Sequence, residues 1–140
     1  MVTAIDTNVL VALWTGDEES SEDLQKALDN ASEKGGLSIC GAVFAELLAS
    51  PRVTESFIEE FCSDAGISID WLSNETIWKT AGLAYRQYAA NRRRRKSGQP
   101  RRILTDFLIG AHALKNGHAL LTLDTRIFRT AFPMLSLLRV

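Results

Sequence analysis

Short apolar runs of strand length alternate along the chain with longer stretches whose apolar residues recur every three to four positions. The first run, residues 2–5, gives way to Asp6-Thr7-Asn8 and then to Val9, Leu10, Leu13 and Trp14 at helical spacing, which predicts strand, turn and helix. In the next segment acids come first, Leu24, Leu28 and Ala31 share one face, Lys34 comes late and Gly35-Gly36 ends the run. This is an amphipathic surface helix whose charges match its macrodipole and C-cap preferences. Residues 37–40 are too short and β-rich for a helix, whereas residues 42–49 are helix-like and end before Pro51. Phe57, Ile58, Phe61 and Cys62 form another helical stripe, followed by a third strand at residues 67–70.

The stretch 74–96 carries Ile77, Ala81, Ala84, Tyr85, Tyr88 and Ala89 on a helical period, and Ser97-Gly98-Gln99-Pro100 breaks it. Thr105 is placed to cap a helix through Phe107, Leu108, Ala111 and Leu114 that stops at Asn116-Gly117. A fourth strand at residues 119–123, a short helix around Ile127 and Phe128, and an edge strand within 134–138 complete the pattern. Strands alternating with helices imply right-handed crossovers and an α/β fold, a mostly parallel sheet of four to five strands covered by helices. Sites in such sheets form outside the strand C-termini.

Composition fits this reading. At 140 residues, 46% hydrophobic and 24% charged, the chain suits one domain, residues 1–140, and excludes a disordered, fibrous or coiled-coil protein. A formal net charge of −1 gives no hint of a polyanion partner, but the average conceals a separation. Arg92, Arg93, Arg94, Arg95, Lys96, Arg101 and Arg102 fall in one stretch with no acid, leaving nine basic against seventeen acidic residues elsewhere. Such a run suits contact with a polyanion such as RNA, the alternative being a solvated helix end. Cys40 and Cys62 sit in apolar contexts without metal-ligand spacing and read as buried thiols of a reducing compartment. Asp6 interrupts what would be a signal peptide's apolar core, and no apolar run reaches the roughly 18 residues of a membrane span. A cytoplasmic protein without membrane contact is expected.

The candidate chemistry is carboxylate. Asp6 follows the first strand and Asp124 the fourth, so both belong to the functional edge. Glu46 has only Ala42, Val43, Ala49 and Ser50 as helical neighbours, so no cation on its face can pair with it. Asp106 opens a helix in which Gly110, one turn on, leaves room for a close neighbour. Taken singly, each acid is explained as a turn, cap or surface residue; the conjunction is what points to a site. Asp70 also ends a strand, so the residues alone yield five candidates, of which Asp70 is read as structural. Converging carboxylates repel one another unless a cation intervenes. Magnesium or manganese prefers oxygen ligands and needs neither histidine nor thiolate, so His112 and His118 are read as structural.

These residues resemble a family. Asp6-Thr7-Asn8 after an N-terminal strand, Glu46 in AELLAS, Asp106 in DFLIGAHAL, and Thr122-Leu123-Asp124 with Phe128 following look like the four signature blocks of PIN-domain ribonucleases, most closely the VapC-type toxins of toxin–antitoxin pairs. The resemblance covers nearly the whole chain in order and spacing. It implies a PIN-like three-layer fold and a Mg²⁺- or Mn²⁺-dependent endoribonuclease whose catalytic and metal-binding acids are Asp6, Glu46, Asp106 and Asp124. Thr7, Asn8 and Thr122 would be polar supports, a cognate antitoxin the neutralising partner, RNA the substrate and a homodimer the assembly. The polybasic run is heavier than the family leads one to expect. A receiver domain would want paired acids after the first strand and a late lysine, and a DxD phosphatase fails because Asn8 holds the second acid position. A stand-alone RNA-processing nuclease and a catalytically silent RNA-binding module are the remaining alternatives.

Overall fold

The computed structural model describes residues 1–95 and 103–140, which form five strands and seven helices. In chain order these are β1 (Thr3–Ile5), α1 (Thr7–Thr15), α2 (Glu18–Lys34), β2 (Leu37–Cys40), α3 (Gly41–Leu47), α4 (Glu55–Ala65), β3 (Ile67–Asp70), α5 (Glu75–Arg94), α6 (Leu104–Lys115), β4 (Ala119–Thr122), α7 (Thr125–Ala131) and β5 (Leu137–Arg139). The sheet order is β3-β2-β1-β4-β5, and every neighbouring pair is parallel. Successive side chains of a strand point to opposite faces, and every residue of β1, β2 and β4 is buried, so helices cover both faces of the sheet. Only the edge strands β3 and β5 are partly exposed. None of the described helices is long and apolar enough to cross a membrane.

Local chemistry explains most boundaries. Asp17 caps α2 by accepting from the Ser20 amide, Thr54 caps α4 through the Phe57 amide and Asn74 caps α5 through the Ile77 amide. Gly66 ends α4 at a left-handed φ of 70°, a conformation other residues adopt at a cost. The cap expected at Thr105 is displaced: Ile103 holds the cap position of α6 without a side-chain bond, and Thr105 lies within the first turn. The fourth strand ends at Thr122 rather than Leu123, and the last strand begins at Leu137, where residues 137–139 align in register beside residues 120–122 of β4.

Gly110 lies on the buried face of α6, where a Cβ would stand 2.3 Å from the ring of Phe132, itself 3% exposed. An aromatic ring in a packed core has no room to withdraw. Gly110→Ala is therefore expected to destabilise by about 1–3 kcal/mol despite alanine's better helix propensity. Chemical denaturation checks this, and a stabilised variant would mean that the α6–α7 contact is loose.

Candidate functional site

At the C-terminal edge of the sheet, Asp6 follows β1 directly and occupies the cap position of α1. Its backbone amide donates to the Leu121 carbonyl of β4 at 3.0 Å, which fixes the residue against the neighbouring strand. The side chain is 5% exposed. Its Oδ1 accepts from the Thr7 amide at 2.8 Å and its Oδ2 from the Thr122 hydroxyl at 2.7 Å. Those bonds favour the charged form, but burial outweighs them, and the negative charges of Asp106 and Glu46 push the same way, so the Asp6 carboxyl is raised to about 6. Three of the four predicted acids are thus within electrostatic reach of one another.

Thr122 joins the fourth acid to this group. The hydroxyl that donates to Asp6 also accepts from the Asp124 amide at 3.0 Å, so one buried oxygen orders the turn that carries Asp124 into the cap position of α7. Asn8 Oδ1 accepts from the Leu123 amide at 3.3 Å and holds the same turn from the α1 side. Thr7 reaches the other way: its hydroxyl donates to Glu46 Oε1 at 2.6 Å, bringing the end of α3 against the start of α1. Glu46, which the sequence leaves without a partner on its own helix, finds one 39 residues away in the chain. Asp106 is half-buried in the first turn of α6.

Asp70 stands apart. Its Oδ1 accepts from the Leu72 amide at 3.0 Å, and its Oδ2 lies 2.8 Å from Nε2 of His112, which is 2% exposed. The backbone bond is the main cause holding Asp70 below the usual carboxylate range, with His112 adding to it. This pair ties the end of β3 to α6, which agrees with a structural reading of Asp70 and His112. His118 lies beside His112, ring centroids 6.0 Å apart, and burial depresses its imidazole.

Among the described residues no three acid, histidine or cysteine side chains stand close enough to hold a metal ion together. The donor chemistry nevertheless suits a hard divalent cation, with oxygen donors only and a mutual repulsion among Asp6, Glu46 and Asp106 that a cation would relieve. Of the basic run, Arg92 is half-buried and Arg93, Arg94 and Arg95 are exposed at the end of α5; Lys96, Arg101 and Arg102 lie outside the described residues. Cys40 caps α3 close enough to Asp6 to feel its charge. Burial raises the Cys40 thiol above its usual range and pushes Cys62 up to about 11. Neither is a thiolate at neutral pH. Cys40→Ala and Cys62→Ala are accordingly expected to retain any cleavage activity, and reductant-dependent activity would contradict this.

The PIN domain family matches residues 3–133. No curated protein matches the chain. Among solved structures, VapBC2 from Rickettsia felis bound to a promoter DNA fragment is 20% identical with a TM-score of 0.64, over 100% of this chain and 99% of that one. VapBC-1 from nontypeable Haemophilus influenzae is 21% identical with a TM-score of 0.65, over 99% and 98%. A toxin–antitoxin complex from Klebsiella pneumoniae is 17% identical with a TM-score of 0.62, over 97% and 95%.

Proposed function

This chain belongs to the PIN domain family, and from that premise we propose that it is a metal-dependent endoribonuclease serving as the toxin of a toxin–antitoxin pair. The observation that carries the reading is Asp6, a buried carboxyl raised to about 6 and held by two donors among like charges. Perturbed carboxylates of this kind cluster at functional sites. In a silent RNA-binding module the same burial would weaken the fold at neutral pH and serve no chemistry. The toxin role is supported by the folds it shares with VapBC2, VapBC-1 and the Klebsiella complex over nearly their full lengths.

In this reading Asp6, Glu46, Asp106 and Asp124 hold Mg²⁺ or Mn²⁺, which supplies an activated water and neutralises the charge developing on the phosphodiester. Thr122 fixes the rotamer of Asp6, and through the Asp124 amide it fixes the turn beside it. Thr7 presents Glu46 with one oxygen committed to its hydroxyl and the other oxygen outward. Asn8 keeps that turn from relaxing. The arginines of α5, with Lys96, Arg101 and Arg102, would draw in and seat the RNA backbone. An antitoxin arginine could pair bidentately with the same carboxylates and exclude the ion. The protein would act in the cytoplasm as a homodimer.

Cleavage of total RNA by purified protein, with and without Mg²⁺ or Mn²⁺, tests the enzyme. Expression in growing cells tests the toxin: wild type should arrest growth, Asp6→Asn should not, and co-expression of the small protein encoded immediately upstream should restore growth. Equal arrest by Asp6→Asn would show that toxicity does not come from this site. Absence of arrest at verified soluble expression would overturn the toxin role.

A further inference from the structure

Beside the carboxylates lies a second feature that the proposed chemistry does not use. Arg92 and Arg95 of α5 and Arg126 of α7 line a cavity of about 280 Å³ together with Tyr88, Asn91 and Thr130. Residues 88, 91, 92 and 95 are three and four apart, which places them on one face of the helix, while Arg93 and Arg94 do not line the space. Among the described residues no acid lines it. Three guanidinium groups around one space repel one another, and an anion resolves that repulsion. Asn91 Oδ1 already accepts from Gln87 at 3.0 Å and from Arg94, so the end of this amide that can serve an acceptor is Nδ2.

The cavity is built by immediate chain neighbours of the site. Tyr85 and Tyr88 of α5 pack against Phe107 at ring-centroid distances of 5.0 and 5.5 Å, and Phe107 directly follows Asp106. Arg126 lies two residues beyond Asp124, in the first turn of α7. We propose that this cavity binds a backbone phosphate of single-stranded RNA flanking the cleaved phosphodiester, with Arg126 and Arg95 as its charge partners. The guanidinium fork matches two phosphate oxygens. The cavity, near the lower end for ligand pockets, suits one phosphate with its sugar. The inference rests on the nuclease reading and adds a substrate subsite to it.

The test is binding of a labelled single-stranded RNA to the full chain, without divalent metal, across a series of salt concentrations. Arg126→Gln and Arg95→Gln should each weaken binding and lower the slope of log affinity against log salt by about 0.7. Arg126→Lys should keep the slope, because the charge remains. Lys115→Gln, at the far end of α6 from Asp106, should leave it unchanged. In cleavage assays the glutamine variants should raise KM more than they lower kcat. Unaltered slopes in both glutamine variants, with melting temperatures showing them folded, would overturn the proposal. An equal drop for Lys115→Gln would also overturn it, by reducing the effect to overall charge. Weakened binding of an acidic peptide with RNA binding intact would assign the cavity to a protein instead. RNA binding with the predicted slopes but no cleavage by wild type under any metal would overturn the nuclease reading while supporting the cavity. Cleavage by wild type with unaltered slopes would overturn the cavity alone.

Discussion

Replacing Asp6 with asparagine should cut metal-dependent cleavage by about 10²- to 10³-fold, the loss usual for removing one group that stabilises developing charge, while making the metal-free protein more stable at neutral pH. The folded carboxyl at about 6 lies above its ordinary value of 3.8, so between these values the folded state binds the extra proton and stability falls as pH rises. Above that window the ionised group costs about 3 kcal/mol. Asparagine removes this cost and can still accept from the Thr7 amide, but Thr122 loses a charged acceptor. A net gain of roughly 1–2 kcal/mol, or several degrees in Tm, is expected. The gain should vanish below the lower end of the window, where the wild-type carboxyl is protonated. Saturating Mn²⁺ should reverse the order, stabilising the wild type by about 3 kcal/mol at a hundredfold excess over its Kd and the variant by less. Protons compete with the ion, so wild-type metal affinity should fall as pH drops through about 6. Undiminished cleavage or an equal metal shift in the variant would remove Asp6 from the site.

Phe107→Ala should have the largest effect on stability. Phe107 is fully buried and meets the rings of Tyr85, Tyr88 and Phe132, so it joins α5, α6 and the end of α7. Removing it leaves a cavity that rings cannot readily fill, at a cost of about 3–5 kcal/mol, a large part of the 5–15 kcal/mol typical of a domain. Tm should fall by roughly 10 °C or more. Phe107→Leu should recover much of this. Phe57, 41% exposed beside Trp14, supplies the comparison: Phe57→Ala should cost less, and the reverse order would mean that the α5–α6 packing is not what holds this end together.

Which parts of this were legible in the sequence follows from the range of the forces involved. Periodicity placed the elements because each buries its own face, and strand C-termini delivered Asp6 and Asp124 to one edge. The Thr105 cap failed because several residues near a helix start can compete for that position, and the choice depends on how the preceding segment enters. The bonds that give the acids their character could not be read, since Thr122–Asp6, Thr7–Glu46 and His112–Asp70 each join residues far apart in the chain. The residues alone left Asp70 among five candidates; its bond to His112 now explains it. The basic run read as one unit. Its helical spacing would already have separated Arg92 and Arg95 from Arg93 and Arg94, but that Arg126 faces them needed the packing of α7.

The central strand also sets a schedule. Asp6 is among the first residues to leave the ribosome, yet the hydroxyl that grips it belongs to Thr122, 116 residues later. At bacterial-scale synthesis of about 5–20 residues per second, roughly 6–23 s separate the two. Until β4 emerges, β1 lacks one of its two neighbours, and the nascent chain carries its acids unassembled. A ribosome therefore cannot be exposed to a finished active centre on the chain it is still making until that chain is almost complete, and a partner translated just beforehand would already be waiting.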